Sequence, residues 1–423
     1  MISQKINQWL NDQKKRHTLK VKVYNLNKLK KWKFDKIKIS HESKRFFKII
    51  AIKVISNFYK KNWDQPIIVQ NEVGILGIIK NKKTNKYLLQ AKVEPGNINK
   101  LQLAPTVQAT KSNYSQVHGG NKVPYINLFL KLKKINDYNQ SEQGFRYLNK
   151  FNSNILLETS YKIKKENEFY WFTKNEIKEL ILRKNLINMD TISILSSSIK
   201  KLKIDQPLNN IKIILNWIKD FDKRFYIRIK IIRLNQMKDW SINLKNINHK
   251  MQKHFSIIGV NVEANKREVK KWSQPIIEGK KMGFAGFLKT RFNDTDHYLC
   301  RYLIKPGIKK SVIGCTVNTS DFSTYNKNNN LNKVEKDFID NFFLSKLTKK
   351  KIIFDNILSD EGGRFYQCQI RYMVLMIDFK TLKKIPKNYM WLSHNQLVYM
   401  IKNKRLDIES RLLFASVNID HIK

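Results

Sequence analysis

The chain has 423 residues, of which 42% are hydrophobic, so it can bury the cores of two or three domains and is not a disordered protein. It has no apolar run of the ~18 residues that a membrane helix needs, and its first residues lack the apolar middle of a secretory signal, so we expect a cytoplasmic location without membrane attachment. Cys300, Cys315 and Cys368 show no CxxC spacing, which predicts buried thiols and neither a disulfide framework nor a zinc site.

The 82 basic residues exceed the 34 acidic ones and give a formal net charge of +48. Lys and Arg neutralise phosphates, so this charge is compatible with nucleic-acid binding and should attract any phosphate ligand. The basic residues are mostly Lys, however, and are spread along the whole chain among many Asn and Ile residues. No arginine-rich stripe and no aromatic RNA-binding signature accompanies them. We therefore keep a nucleic-acid-binding protein only as the last alternative.

Short apolar segments predict strands in the first half of the chain. GILGIIK at 74–80 and KYLLQAKV at 86–93 are β-rich runs, and FRYLNKFNSNILLE at 145–158 alternates as a half-buried strand does. YINLFLKL at 125–132 fits a strand or a helix by periodicity alone, so both alternatives stay open at this point.

A capping box predicts a helix after these strands. In WFTKNEIKELILRK, Thr173 is the expected N-cap and Glu176 follows three residues later. Ile177, Leu180 and Ile181 then share one face of the helix. Short strands, long connections and one terminal helix indicate an α+β sandwich built around a mixed sheet.

The same motifs occur twice, in the same order and at nearly constant spacing. Four blocks carry the repeat: WDQPII at 63–68 and WSQPII at 272–277, VGILGIIK at 73–80 and MGFAGFLK at 282–289, SEQGFRY at 141–147 and SDEGGRF at 359–365, and WFTKNEI at 171–177 and WLSHNQL at 391–397. A repeat of this length indicates an internal duplication. We predict two domains, 1–205 and 206–423, each with a helical lead-in.

The segment QAKVEPGNINKLQLAPTVQATKSNY at 90–114 is dense in polar side chains. YLLQAKV runs as a strand into a Pro-Gly turn, so Gln90, Lys92 and Glu94 lie on one face at a period of two. One interpretation is an ordinary charge pair on a solvated sheet edge, which would contribute little. The long polar loop that follows favours a functional site instead, because such loops on a rigid sheet often carry function.

The second copy has lost this polar face. In YLCRYLIKPGIKK at 298–310, Leu303 stands in the place of Lys92 and Lys305 in the place of Glu94, while the Pro-Gly turn is kept. The turn therefore folds without those two side chains. We expect a catalytic amino-terminal copy and a degenerate carboxy-terminal copy.

Almost the whole chain, and most strongly its first half, resembles the NDP-hexose 2,3-dehydratase family of deoxysugar biosynthesis, including the duplicated architecture. The resemblance rests on the run from NEVGILGIIK through QAKVEPG and QATKSNY to HGGNKVPY, then on SEQG, WFT and NMDTISILSS at 188–197. It implies two tandem Nudix-like domains, a homodimer, and dehydration of a dTDP-4-keto-6-deoxyhexose without a dissociable organic cofactor. It also implies coupling to a 3-ketoreductase or an aminotransferase. Two departures are the decayed segment of the second copy and Lys111, where the family usually has Arg.

On this resemblance the candidate residues receive roles. A dehydration needs a base, a donor to the developing enolate oxygen, and an acid for the departing hydroxyl group. The base is Glu94 or His118, the donor is Lys92 or Tyr114, and the acid is the remaining imidazole or phenol; the sequence leaves these alternatives open. The candidate catalytic residues are Lys92, Glu94, Tyr114 and His118. The candidate substrate-binding residues are Gln90, Thr106, Gln108, Lys111, Asn113 and Arg146.

Two further functions are compatible with parts of this pattern. A Nudix-like fold could hydrolyse pyrophosphates with a metal ion, but this needs a helix rich in Glu, and the chain has no such run. A catalytically silent sugar-nucleotide-binding protein stays open, because the decay of the second copy fits a chain under weak selection.

Overall fold

In the computed structural model of the chain, the described residues are 2–59, 61–117, 119–132, 134–320, 322, 332–345, 350–382 and 384–423. Among them, no helix is long and apolar enough to cross a membrane.

The first half contains helices and strands in the following order: α1 Gln4–Arg16, β1 Leu19–Tyr24, β2 Trp32–Phe34, β3 Ile39–His41, β4 Lys48–Ser56, β5 Trp63–Val69, β6 Gly74–Asn81, β7 Tyr87–Val93, β8 Leu101–Pro105, β9 Val107–Ala109, α2 Lys111–Tyr114, α3 Ile126–Lys131, β10 Asn136–Ser141, β11 Phe151–Thr159, β12 Phe169–Phe172, α4 Lys174–Ile181 and α5 Met189–Ser196.

The second half repeats this order: α6 Ile211–Arg224, β13 Ile227–Ile232, β14 Trp240–Ile242, β15 Asn246–His249, β16 Phe255–Ala264, β17 Lys271–Gly279, β18 Gly283–Phe292, β19 Thr295–Leu303, β20 Val312–Gly314, β21 Val317–Thr319, α7 Lys333–Phe338, β22 Lys350–Ser359, β23 Phe365–Tyr366, β24 Gln369–Ile377, β25 Tyr389–Ser393, α8 His394–Lys402 and α9 Ile408–Val417. Apart from the helices between β9 and β10 and the additional strand β23, the tandem repeat read from the sequence corresponds to a repeat of elements.

Each copy combines a smaller sheet with a mixed seven-stranded sheet, which agrees with the predicted α+β class. In the first copy the larger sheet has the order β10-β11-β6-β7-β12, with β8 beside β7 and β9 beside β6. The pair β6–β11 is parallel, and β6–β7 is antiparallel. In the second copy β18 and β24 form the corresponding parallel pair.

The capping box of α4 forms as predicted. The Thr173 hydroxyl accepts from the Glu176 amide at 3.2 Å, and the Thr173 amide donates to the Glu176 carboxylate at 2.7 Å. The apolar face of the helix is buried. In the second copy Ser393 and Gln396 form the same box at the start of α8, because each side chain satisfies an amide that the first turn leaves unpaired.

Two local predictions needed refinement. The open segment 125–132 forms helix α3, whose Phe129 packs over Gly77 of β6, where a Cβ would overlap the ring. The strand expected at 145–158 begins only at Phe151. Residues before it form a turn instead, because the backbone of Arg146 and Leu148 hydrogen-bonds to Ile68 at 2.8 Å each.

The two copies exchange their lead-in strands. β1 of the first copy pairs with β16 of the second, from Leu19 opposite Ala264 to Tyr24 opposite Gly259. β13 of the second copy pairs in turn with β4 of the first. Each smaller sheet therefore contains a strand from the other copy, so neither half forms its smaller sheet alone.

The Pro-Gly turns also dock across the boundary between the copies. The Gly96 amide donates to the Gly362 carbonyl at 2.8 Å, and the Gly307 amide donates to the Gly144 carbonyl at 2.7 Å. A Cβ on Gly96 or Gly307 would overlap a carbonyl oxygen of the opposite copy. The turn thus needs glycine in both copies because a backbone packs directly against it.

Residues that recur in both copies serve this packing. Arg146 stacks on Phe255 of the second copy, and Arg364 stacks on Phe47 of the first, each 4.1 Å from the ring centroid. Trp63 donates its indole N–H to a Gln side chain two residues later, and its counterpart in the second copy does the same. The three cysteines are buried free thiols, as predicted.

Candidate active site

Lys92 and Glu94 meet at the carboxyl end of β7. Lys92 is 6% and Glu94 3% exposed, and Lys92 Nζ lies 3.6 Å from Glu94 Oε1. The strand ends at Val93, whose side chain points to the opposite side. The predicted convergence of the two side chains is confirmed. The pair lies inside the molecule, so it is not a charge pair on a solvated edge.

Gln108 on β9 holds both members of the pair. Gln108 Oε1 accepts from Lys92 Nζ at 3.1 Å, and Gln108 Nε2 donates to Glu94 Oε1 at 3.3 Å. The same Oε1 accepts from Asn188 Nδ2, the N-cap of α5, at 3.2 Å. Glu94 Oε2 is buried and has no hydrogen-bond partner within the described part of the chain. One carboxylate oxygen is therefore not committed to the fold.

The second copy supplies the other side of this cluster. Arg267, in the β16–β17 hairpin, lies with Nη1 3.7 Å from Glu94 Oε1 and with Nε 3.5 Å from Glu268 Oε2. The backbone of Gly362 and Gly363 lies against Glu94, since a Cβ on Gly362 would be 2.9 Å from the Glu94 Cβ. The cluster is therefore composite, although the sequence placed it within the first copy.

Burial and neighbouring charges set the protonation of the cluster. Burial, followed by the Arg267 charge, lowers the pKa of Lys92, while Glu94, Glu268 and Asp190 oppose that shift. Burial raises the pKa of Asp190 well above its ordinary value, and nearby carboxylates add to the effect. The Lys92 ammonium is therefore a stronger acid than that of a surface lysine.

Glu361 of the second copy adds a further buried carboxyl group. Burial and then the charge of Glu94 raise the pKa of Glu361 to about 7, against the effects of Arg364 and of a hydrogen bond from Tyr147. That bond, from the Tyr147 hydroxyl to Glu361 Oε2, measures 3.1 Å. A carboxyl group with this pKa exchanges its proton near neutral pH, which suits acid–base chemistry.

Both halves of the chain match one family model, that of NDP-hexose 2,3-dehydratase, over residues 3–197 and 212–417. The chain belongs to this family. Three curated relatives carry the name dTDP-4-dehydro-6-deoxy-alpha-D-glucopyranose 2,3-dehydratase. The one from Saccharopolyspora spinosa is 31% identical over 97% of this chain and 90% of its own length. Those from Streptomyces violaceoruber and Amycolatopsis orientalis are 32% and 30% identical, over 97% and 99% of this chain and 95% and 90% of their own lengths.

Three residues that the family resemblance suggested for substrate binding are engaged by the fold. Gln90 Nε2 donates to the Pro105 carbonyl at 2.8 Å and so ties β7 to β8. The Thr106 hydroxyl donates to the Leu88 carbonyl and accepts from the Ile79 amide, and Thr316 does the same in the second copy. The Arg146 guanidinium is stacked on the ring of Phe255. The structure does not bring these three side chains into the Lys92–Glu94 cluster.

The segment after β9 lies nearer to solvent in this member of the 2,3-dehydratase family. Lys111 is exposed, whereas Asn113 and Tyr114 are half-buried. Asn113 Oδ1 accepts from the Thr110 hydroxyl at 2.7 Å, and Tyr114 packs on the apolar cluster beneath it. His118 lies outside the described residues.

Sequence reasoning missed the contributions of the second copy. Arg267 lies in a hairpin whose sequence, NKREVK, resembles any exposed basic turn. Glu361 lies in the repeated block SDEGGRF, where Gln143 stands at the same place in the first copy. That difference between the blocks was the one signal available, because a buried carboxyl group replaces an amide there.

Proposed function

We propose that this chain is a lyase that removes water across C2 and C3 of dTDP-4-keto-6-deoxy-D-glucose and gives a 3,4-diketo-2,6-dideoxy sugar nucleotide in deoxysugar biosynthesis. The match of both halves to the 2,3-dehydratase family carries this proposal, together with relatives that bear this activity in their names and are matched over at least 90% of their length. The buried Lys92–Glu94 pair offers groups for the proton transfers that the reaction needs.

The chemistry follows from the ketone at C4. The carbonyl acidifies the proton on C3, so a base can remove that proton and leave an enolate with its charge on the C4 oxygen. The electron pair then expels the hydroxyl group from C2, which takes up a proton and leaves as water. The resulting enol at C3 tautomerises to a ketone. Water is the only group lost, and no oxidant or reductant is consumed.

We assign Glu94 as the base, because its Oε2 is buried and uncommitted. Lys92 is then the donor to the enolate oxygen, since preorganised donors at developing charge are often the largest catalytic contribution. Tyr114 or His118 supplies the proton to the departing hydroxyl group. Gln108 keeps the first two side chains in register through its two hydrogen bonds.

We propose that Lys111 binds the diphosphate, because it is exposed and precedes a half-buried Asn113 that can address a hydroxyl or the base. Gln90, Thr106 and Arg146 are weaker candidates for substrate binding, because their side chains already contact backbone groups or an aromatic ring. Lys92 and Glu94 are enclosed, so substrate binding must displace part of what covers them.

We also propose three properties that the family resemblance implies: a Nudix-like architecture for each copy, a homodimer, and coupling to a 3-ketoreductase or an aminotransferase. The α+β class and the duplicated order of elements support the first property. A diketone product is reactive, so an enzyme that reduces or aminates it should act directly afterwards.

Thermal shift and turnover test the proposal in sequence. A ligand that binds only the folded state stabilises it by RT ln(1 + [L]/Kd), about 2.7 kcal/mol at 100 Kd. We expect dTDP to raise the melting temperature and an oligonucleotide of equal phosphate content to leave it unchanged. Loss of the 4-keto substrate, followed with a coupled 3-ketoreductase, should then show turnover. Stabilisation by dTDP without turnover would identify a silent binder, and stabilisation by the oligonucleotide alone would favour nucleic acid.

A further inference from the structure

The two hairpins at the boundary between the copies make equivalent contacts with different residues. In the first copy the β4–β5 hairpin carries Tyr59, whose hydroxyl donates to the Ile304 carbonyl at 2.6 Å. In the second copy the β16–β17 hairpin carries Arg267, whose Nη1 donates to the Val93 carbonyl at 3.5 Å. Ile304 and Val93 each lie two residues before the proline of a Pro-Gly turn. The fold thus uses this position to hold the opposite turn, and a tyrosine suffices for that contact.

Arg267 makes charged contacts beyond this shared one. Its guanidinium faces Glu94 at 3.7 Å and Glu268 at 3.5 Å, and its side chain is 15% exposed. Tyr59 packs instead on the rings of Phe58 and Trp63. The backbone contact needs no charge. We therefore explain the guanidinium by its charged contact with Glu94, the carboxylate of the first copy.

We propose that Arg267 is a positioning residue contributed by the second copy, which holds the Glu94 carboxylate beside Lys92 in the active site. This inference rests on the proposed dehydratase function. Glu94 Oε1 then has two cations near it, Lys92 Nζ at 3.6 Å and Arg267 Nη1 at 3.7 Å. The carboxylate is fixed through one oxygen, and the other oxygen stays available for the substrate.

The arrangement has an electrostatic consequence for Lys92. Within the part of the chain that the structure describes, the charged or titratable groups that act on Lys92 are Arg267, Glu94, Glu268 and Asp190. Arg267 is the one cation among them, and it adds to the effect of burial in favouring loss of the ammonium proton. Removing its charge should therefore move the loss of activity at high pH, where Lys92 gives up its proton, to still higher pH.

The pH dependence of kcat/KM in two substitutions tests the inference. Arg267→Tyr keeps a side chain that the first copy uses for the same backbone contact, but removes the charge. We expect kcat/KM to fall on the order of 10²-fold, as when a catalytic group shifts by about 1 Å, and the alkaline limb to move to higher pH. Arg267→Lys keeps a charge and should leave that limb nearer to its wild-type position.

Tyr59→Phe is the matched control, because it removes the equivalent contact in the other hairpin without changing a charge. It should lower the melting temperature and leave the limbs of the pH profile in place. The inference is overturned if Arg267→Tyr behaves in the same way, or if the alkaline limb moves equally in Arg267→Tyr and Arg267→Lys.

A measurement without substrate separates this inference from the proposed function. Urea midpoints of Glu94→Gln, Arg267→Tyr and the double variant form a cycle. If the two changes in urea midpoint do not add up in the double variant, the Arg267–Glu94 contact is supported. If they add up, the contact is overturned. Absence of turnover in the wild-type protein contradicts the dehydratase proposal instead, whichever result the cycle gives.

Discussion

Glu94 and Lys305 occupy the same position in the two copies, directly before the Pro-Gly turn, and carry opposite charges. Glu94 lies 3.6 Å from Lys92 and keeps one carboxylate oxygen uncommitted. Lys305 Nζ lies 2.7 Å from both carboxylate oxygens of Asp407 and 3.3 Å from Glu409. The second copy thus has a closed ion-pair cluster where the first copy has a buried pair with an uncommitted oxygen, which explains how it keeps its fold without Lys92 and Glu94.

Lys305→Met should destabilise the protein and spare its chemistry. The substitution leaves Asp407 and Glu409 buried without their cation, and breaking such a pair typically costs about 3–5 kcal/mol. We expect the urea midpoint to fall, while kcat of the folded protein stays near the wild-type value. The exposed Lys309→Met is the control for loss of a charge nearby and should change the midpoint little. A large loss of kcat in folded Lys305→Met would contradict the structural role.

Lys92→Leu and Glu94→Gln should strongly reduce turnover without unfolding the protein. Leucine already fills the corresponding place, as Leu303, in the second copy, so the strand tolerates it. Loss of an acid or base group costs roughly 10²- to 10⁴-fold in rate. We expect kcat to fall by that range, while dTDP still raises the melting temperature. Unchanged turnover in Glu94→Gln would remove this carboxylate from the mechanism.

The stability of the protein should decline from acid to neutral pH because of Glu361. Its pKa is raised to about 7, from an ordinary value of 4.5, mainly by burial. Between these values the folded chain keeps a proton that the unfolded chain releases, so the free energy of unfolding falls as the pH rises, by about 1–3 kcal/mol in total. Above the folded pKa this contribution stays constant.

Glu361→Gln should reduce that decline. Glutamine imitates the protonated acid, and Gln143 shows that the position accepts it. Relative to wild type, the urea midpoint of the variant should therefore rise between pH 5 and pH 8. The exposed Glu263→Gln removes a charge elsewhere and serves as the control. If the urea midpoints of Glu361→Gln and wild type differ by the same amount at pH 5 and at pH 8, the raised pKa of Glu361 is contradicted.

The exchange of β1 and β13 predicts that neither half folds well alone. Residues 206–423 without β1 leave a long edge of β16 unpaired, and residues 1–205 without β13 do the same to β4. Exposed edges of this kind promote aggregation. We expect each half to be insoluble when expressed separately and the two to form a complex when co-expressed.

Cleavage of the folded chain between the halves is the matched control for the exchange of β1 and β13. A protease site inserted between the halves should, once cut, leave the two pieces associated in gel filtration. A stable, monomeric half with native-like circular dichroism would contradict the role of the exchanged strands.

Much of the local structure could be read from the chain. The capping box at Thr173 and Glu176, the strands around GILGIIK and YLLQAKV, and the meeting of Lys92 with Glu94 all follow from periodicity and spacing over a few residues. The prediction of a strand from residue 145 is wrong at its start, because β11 begins at Phe151 and the residues before it alternate like a strand but pair with Ile68, far away in the sequence.

The sequence by itself determined the duplication, the class of the fold and the pair of charged side chains on one strand face, because each depends on neighbours within a few residues or on a repeated pattern. Only the tertiary structure decided that Arg267, Glu268 and Glu361 complete the cluster and that lead-in strands change places. These contacts join segments more than 170 residues apart, and nothing in local propensity or periodicity marks which distant segment will pack against another.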